Sequence, residues 1–157
     1  MDILLVSQED TCRSRIAEAL LNSYGRGMSI KTAGIAEGNY VSDMVVKVME
    51  DNGHEISMKK PSALSSFVEQ SWDYIITLCK DALDEVNNRH IRSNHIVNFD
   101  FDDPFKSRGL NENEQEELLL EVFQNMDNKL YRFYRDELSE QLLPRCTCGA
   151  NTYCHCE

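Results

Sequence analysis

The residues with the clearest capacity for chemistry lie in one short stretch, V-S-Q-E-D-T-C-R-S, at positions 6–14. It follows an apolar run and precedes a helical pattern, so backbone N–H groups and the positive end of a helix could bind an anion there. Arg13 adds a planar guanidinium that can contact two oxyanion oxygens, and Ser14 can bond the residue at the start of the loop. The stretch is therefore predicted to form an oxyanion loop. The loop residues are Gln8, Glu9, Asp10, Thr11 and Cys12, and Ser7, Arg13 and Ser14 beside them are candidate catalytic-site residues.

Two carboxylates in this stretch oppose anion binding. Glu9 and Asp10 stand where an anion would be held. A carboxylate about 5 Å from a bound anion costs roughly 1–3 kcal/mol as the effective dielectric falls from that of water towards 20. The penalty applies above all to Glu9, whose side chain could point outward and so reduce it.

The surrounding pattern alternates strands with helices. Apolar runs predict strands at 3–6, 29–33, 74–79 and 95–99, and helical spacing predicts helices at 13–24, 42–53, 81–88 and one long helix at 111–142. This order implies an α/β/α sandwich around a four-stranded parallel sheet. Because ligands of such sheets bind beyond the carboxyl ends of the strands, the loop after the first strand is well placed for a site.

Composition narrows the range of partners. The 157 residues, with 41% hydrophobic and 27% charged, are typical of one ordinary globular domain. The net charge of −11 disfavours nucleic acid, whose binding depends on basic residues. No apolar run is long enough to span a membrane, and the first residues lack the features of a signal peptide. We therefore expect a cytoplasmic protein with neither nucleic acid nor membrane as partner.

Several segments together resemble a known family. C-R-S followed by I-A-E-A-L-L, T-A-G-I at 32–35, the stretch 45–57, D-Y-I-I-T-L-C at 73–79 and F-D-D-P-F at 101–105 occur in the order seen in that family. The family is the low-molecular-weight protein tyrosine phosphatases, with their relatives the thioredoxin-coupled arsenate reductases. The resemblance covers residues 1 to about 140, and it implies a phosphotyrosine phosphatase I-like fold for a domain at 1–143.

The resemblance also implies roles for single residues. In the family a cysteine attacks the oxyanion, an arginine holds it and an aspartate protonates the leaving group; the corresponding positions here are Ser7, Arg13 and Asp103. A serine hydroxyl is far more basic than a thiol and needs an adjacent general base, and no histidine partner for Ser7 is evident. The first interpretation is a degenerate homologue that still binds a phosphate-like oxyanion or a partner such as a phosphotyrosine protein. The alternative is an active phosphatase or arsenate reductase, either with altered chemistry or engineered from cysteine to serine.

Two isolated cysteines leave a redox role open. L-C-K-D-A-L-D-E at 78–85 is similar to the arsenate reductase branch, in which Cys79 would be the second cysteine of a relay. Val86 occupies the third relay position, so the usual cycle cannot run as written. Cys12 is expected either to be buried and inert or to form a redox pair with Cys79.

The last residues form a cysteine-rich tail at 144–157, which Pro144 separates from the long helix. Two C-x-C pairs, with His155 as a substitute ligand, could surround one zinc ion. A disulfide or redox-exchange role, or neither, stays open for this tail. No cofactor is expected for the domain at 1–143. The four cysteines are Cys146, Cys148, Cys154 and Cys156.

Overall fold

A four-stranded parallel sheet forms the centre of the protein. The computed structural model describes residues 1–142, and the predicted zinc site of the tail lies outside these residues. The strands follow the order β2-β1-β3-β4, so β1 is interior, as its unbroken apolar sequence predicted. The α/β/α prediction with its parallel sheet is confirmed. The strands are β1 (Asp2–Ser7), β2 (Ser29–Gly34), β3 (Ser71–Thr77) and β4 (Arg92–Asn98).

Helices cover both faces of the sheet. One hydrophobic cluster joins β1 to α1, α2 and α4, and a second joins the opposite face to α3. The Ser42 hydroxyl accepts a hydrogen bond from the N–H of Val45 at 3.3 Å and so caps α2, as predicted. Within residues 1–142, no helix combines the length and the apolar character that crossing a membrane requires. The helices are α1 (Arg13–Tyr24), α2 (Asp43–Asp51), α3 (Lys80–Asn88), α4 (Glu112–Phe133) and α5 (Ser139–Leu142).

The prediction of one uninterrupted helix at 111–142 is wrong. A π-helical turn, Tyr134–Leu138, separates α4 from α5. The Tyr134 ring packs over Gly25, where a Cβ would lie 2.1 Å from the phenolic oxygen, while Leu138 stays fully buried. The wider turn is compatible with both contacts. Gly25 follows α1 in an extended and not a left-handed conformation, and its lack of a side chain leaves space for Tyr134.

Two strands begin earlier than the apolar runs suggested. The predicted strand at 74–79 is Ser71–Thr77, which leaves Cys79 at the N-cap of α3, and the strand at 95–99 is Arg92–Asn98. Ser71 pairs with Arg92 in the ladder, so backbone pairing extends into polar residues that the hydrophobic pattern missed.

The connectivity creates a crevice at the end of β1. The chain places β2 on one side of β1 and β3 on the other, both parallel to it. Connections that leave in opposite directions open a crevice beyond the carboxyl end of the strand between them. Residues 8–12 lie at this point and lead directly into α1.

Candidate functional site

The loop between β1 and α1 offers a run of unpaired donors. Within residues 1–142, no backbone N–H group of residues 9–15 donates a hydrogen bond to another protein group. Seven successive N–H groups are therefore free to donate to a bound anion. A cavity of about 210 Å³ lies against this loop. It is lined by Gln8, Glu9, Thr11, Cys12, Arg13, Asp103 and Phe105.

The segment that follows β2 holds the loop in place. The N–H of Ile35 donates to the Ser7 carbonyl at 3.1 Å, and the N–H of Ala36 donates to the Gln8 carbonyl at 2.8 Å. A Cβ at Gly34 would lie 2.7 Å from the backbone nitrogen of Asp10. The loop can approach β2 this closely only because residue 34 has no side chain.

Arg13 and Asp103, which the sequence assigned to one site, are brought together. Arg13 opens α1, is 7% exposed, and donates from Nη1 to the Phe101 carbonyl at 2.8 Å. Its Nη2 lies 3.8 Å from Oδ2 of Asp103. Oδ1 of Asp103 accepts from the N–H of Phe105 at 3.0 Å, which fixes the carboxylate beside the cavity.

Ser7 is buried at the base of the loop. The side chain is 1% exposed, and its hydroxyl donates to the carbonyl of Glu9 at 2.5 Å. Ser7 is absent from the lining of both cavities at the site, as are the three histidines of residues 1–142. The hydroxyl thus faces a neutral carbonyl, which cannot remove its proton.

Asp10 does not present its carboxylate as the sequence suggested. Its side chain is fully buried, and Oδ2 forms an ion pair with Nη2 of the fully buried Arg15 at 2.9 Å. The same oxygen accepts from the N–H of Ser62 at 2.9 Å, and Oδ1 accepts from the Ser14 hydroxyl at 2.8 Å. The prediction that Ser14 bonds the residue at the start of the loop is therefore wrong, because Asp10 takes its hydroxyl instead.

Glu9 behaves differently from Asp10. It is exposed and forms no ion pair within the described part of the chain. Because the Glu9 carboxylate is exposed to water, its repulsion of a bound anion should cost only about 1 kcal/mol. The two acidic residues therefore do not exclude an anion: one is neutralised and the other is solvated.

A second cavity extends the site on the side of β3 and β4. It measures about 660 Å³ and is lined by Gln8 and Arg13 from the loop, together with Cys79 and residues 100–103. Four aspartates, Asp81, Asp100, Asp102 and Asp103, border it with Lys80 and Lys106. In residues 1–142 no group of three or more potential ligands has a geometry that could hold a metal ion.

The two described cysteines are both free thiols. Burial raises the pKa of Cys12 to about 12, against the opposing effect of the neighbouring Arg13 guanidinium. A thiol with such a pKa stays protonated at neutral pH and is a poor nucleophile. Cys12 and Cys79 belong to different hydrophobic clusters, and their redox pairing stays a prediction.

Arg15 is the residue of this site that the sequence reasoning missed. Cations are unfavourable in the first turn of a helix, because they face its positive end. An arginine there, two residues after Arg13 and five after a loop aspartate, indicates a local partner. The Phe101 carbonyl was also missed, since no sequence pattern marks a backbone acceptor.

Comparisons with known proteins agree with this architecture. An arsenate reductase of Bacillus subtilis is 30% identical over 127 residues, which cover 79% of this chain and 88% of the relative. A probable low molecular weight protein-tyrosine-phosphatase, EpsP, of Ralstonia solanacearum is 31% identical over 115 residues, 68% of this chain and 79% of the relative.

Among solved structures, a Cys-to-Ser variant of YwlE arginine phosphatase with a phosphorylated active-site serine matches with a TM-score of 0.68. It is 16% identical and covers 88% of this chain and 99% of its own, so it supports the fold alone. The family described as low molecular weight phosphotyrosine protein phosphatase matches residues 2–142. This match spans nearly all the described residues and includes the loop, Arg13 and Asp103. The chain therefore belongs to the low molecular weight phosphotyrosine protein phosphatase family.

Proposed function

We propose that this protein binds a phosphate-like oxyanion in the loop at 8–14 and that its covalent chemistry is impaired. The observation that carries the proposal is the hydrogen bond from the Ser7 hydroxyl to the Glu9 carbonyl at 2.5 Å, beside an arginine and an aspartate that share the cavity. The binding groups are present, whereas the position of the nucleophile holds a neutral alcohol without a base.

The binding half of the proposal rests on the donors. The free N–H groups of residues 9–15 and the Arg13 guanidinium supply a fixed positive potential at the start of α1. The chain as a whole carries a net charge of −11, so long-range attraction contributes nothing and these local donors must supply the affinity. A phosphotyrosine side chain of a partner protein has the required anion, and arsenate has the same tetrahedral shape.

The catalytic half rests on the chemistry of oxygen and sulfur. The unperturbed pKa of a thiol is about 8.5, and a helix N-terminus can lower it until the thiolate is populated at neutral pH. A serine hydroxyl cannot be ionised in this way and depends on a base. Asp103 could still protonate a leaving group, but the leaving group does not depart unless a nucleophile attacks the phosphorus atom.

The test compares the natural chain with Ser7→Cys, each with and without Arg13→Ala. Binding of inorganic phosphate is measured by calorimetry, and turnover is measured with an aryl phosphate and with arsenate plus a thiol reductant. We expect Arg13-dependent phosphate binding by both chains and turnover only after Ser7→Cys. Arg13-dependent turnover by the natural chain would overturn the proposal of impaired chemistry, and absence of Arg13-dependent binding would overturn the proposal of an oxyanion site.

A second candidate is a slow phosphoryl acceptor. In the YwlE arginine phosphatase variant an active-site serine is phosphorylated, so a serine in a related fold can take up phosphoryl groups. The Ser7 oxygen would form a bond to phosphorus as the ester bond breaks. The hydroxyl proton of Ser7 would pass to a phosphoryl oxygen, and the acid form of Asp103 would give its proton to the leaving alcohol. Intact-mass measurement after incubation with the aryl phosphate would reveal this adduct, which Ser7→Ala would abolish.

A further inference from the structure

We propose that Arg15 is a positioning residue for the oxyanion loop: it neutralises Asp10 and so allows a loop that contains a buried carboxylate to accept a second anion. The inference rests on the proposed oxyanion binding at residues 8–14. Nothing in the spacing of the anion-binding residues themselves requires Arg15.

The pair is built into the interior at the base of the loop. Neither side chain is exposed, and Nη2 of Arg15 lies 2.9 Å from Oδ2 of Asp10. Nε of Arg15 also donates to the carbonyl of Asp10 at 3.1 Å. One guanidinium therefore binds both the side chain and the backbone of the same loop residue, which fixes the direction of its peptide groups.

The pair also connects the loop to a third segment. Nη2 of Arg15 reaches the Lys60 carbonyl at 3.4 Å, and Oδ2 of Asp10 accepts from the N–H of Ser62 at 2.9 Å. The Ser14 hydroxyl donates a hydrogen bond to the other carboxylate oxygen of Asp10, Oδ1, at 2.8 Å. Loop, first turn of α1 and the chain at 60–62 are thus joined around one buried charge pair.

The position of Asp10 makes its charge relevant to binding. Its own N–H belongs to the run of free donors at residues 9–15, so the carboxylate is part of the same residue as a group proposed to bind the anion. Buried charges are weakly screened, and an uncompensated carboxylate there would repel the anion. With Arg15 present, the guanidinium cancels the charge of the Asp10 carboxylate, and the backbone N–H of Asp10 can still donate to the anion.

If Arg15 acts by cancelling the charge of Asp10, removing Arg15 and removing the Asp10 carboxylate should have different effects on phosphate affinity. Removing either partner leaves a buried, unpaired charge, so Arg15→Met and Asp10→Asn should both lower the melting temperature. Only Arg15→Met leaves a negative charge, and it should weaken phosphate binding by roughly tenfold or more. Asp10→Asn leaves a positive charge and should hold or raise the affinity.

The experiment measures the affinity of the full chain for inorganic phosphate by calorimetry, with folding checked by circular dichroism. The variants are Arg15→Met, Asp10→Asn, and the double variant, in which affinity should recover. Lys59→Met is the matched control: it removes one positive charge from a surface pair with Glu18 at 2.9 Å and should not change the affinity. If Arg15→Met does not fold, the double variant and Arg15→Lys, which keeps the charge, should both still bind.

The outcomes separate this inference from the proposed function. If the natural chain shows no Arg13-dependent phosphate binding, both fall. If it binds but Arg15→Met and Asp10→Asn weaken binding equally, or neither weakens it, oxyanion binding stands and the role of Arg15 as a charge-compensating residue is overturned. If Arg15→Met folds poorly and the double variant binds no phosphate, the pair serves folding alone and the inference is also overturned.

Discussion

The Ser7 hydroxyl donates to the carbonyl oxygen of Glu9 across 2.5 Å, two residues further along the same loop. A carbonyl accepts a hydrogen bond but does not take the proton, so the serine stays a neutral alcohol. The contact closes the base of the loop on itself with a bond that needs no charged atom. Ser7 thereby supports the shape of the loop from its buried position at the end of β1.

This relationship predicts that Ser7→Ala affects stability more than binding. Loss of one side-chain hydrogen bond should lower the free energy of unfolding by about 0.5–1.5 kcal/mol. Phosphate affinity should stay within about threefold, a change of less than 1 kcal/mol. Urea unfolding and calorimetry measure the two quantities. Ser23→Ala is the matched control, because that hydroxyl also donates to a carbonyl, Leu20, at 2.6 Å but lies at the far end of α1. A large loss of affinity in Ser7→Ala alone would show that the hydroxyl contacts the anion.

The aspartate beside Arg13 should matter only once a nucleophile is present. In the Ser7→Cys chain, Asp103→Asn removes the proposed proton donor and should lower kcat by about 10²–10⁴-fold for an alkyl phosphate with a poor leaving group. The loss should be much smaller for an aryl phosphate with an acidic leaving group. Asp84→Asn serves as the control, since Asp84 is an exposed aspartate that lines neither cavity of the site. An equal fall in kcat for the alkyl and the aryl phosphate would show that Asp103 does not act as the general acid.

The sheet and its helices could be predicted because their periodicity is strong and local. Arg13 and Asp103 could be assigned to one site through the family pattern, although 90 residues separate them. Ser14, Asp10 and Arg15 could not, because each has several partners within reach and only the folded loop selects among them. The ion pair of Asp10 with Arg15 reverses the meaning of an acidic residue that looked hostile to anions.

The π-helical turn shows a second limit of sequence reasoning. The apolar spacing of residues 119–138 fits an unbroken helix and gives no sign of the wider turn. The contact of Tyr134 with Gly25 joins residues more than one hundred positions apart. No local propensity records such a contact, so the interruption of the helix could only be found in the structure.

Cys12 should make the protein sensitive to alkaline pH. Its pKa is raised by burial from 9.0 to about 12, so between these values the folded chain keeps a proton that the unfolded chain releases. The stabilising contribution is complete below pH 9 and is lost as pH rises towards 12, by at most about 1.4 kcal/mol per pH unit. Cys12→Ala should therefore show a shallower fall in the free energy of unfolding between pH 8 and 10.

The pH slope, and not the absolute stability, is compared, because Cys12→Ala also leaves a small cavity. The pKa of Tyr24 is raised as well, by burial and by its hydrogen bond to Asp127, which adds a loss of the same sign at higher pH. Tyr24→Phe should thus flatten the curve only above pH 10. Identical slopes for the natural chain and Cys12→Ala would mean that burial does not raise the pKa of Cys12 in the folded protein.

For the tail at 144–157 we propose one bound zinc ion. Four thiolates in two C-x-C pairs supply the ligands that zinc prefers in structural sites. Chain purified with its metal should contain one zinc per molecule, measured by atomic absorption, and a variant with all four cysteines changed to serine should contain none. His155→Ala should leave the content unchanged if the thiolates suffice. If the chain contains no zinc, and its tail cysteines no longer react with a thiol reagent after mild oxidation, the result would instead support the disulfide alternative.

The close passage of the loop over β2 gives the sharpest test of loop geometry. In Gly34→Ala the new Cβ would lie 2.7 Å from the Asp10 nitrogen and 3.0 Å from the Glu9 Cα, both backbone atoms that cannot rotate away. The loop must shift, at a cost of typically about 1–3 kcal/mol in stability, and the N–H groups of residues 9 and 10 move with it. Phosphate affinity of the folded chain should therefore fall. Gly25→Ala is the matched control, because it crowds Tyr134 instead, far from the loop, and should lower the melting temperature without changing the affinity. If both variants lose stability and both keep their affinity, the loop binds the anion without needing its present backbone arrangement.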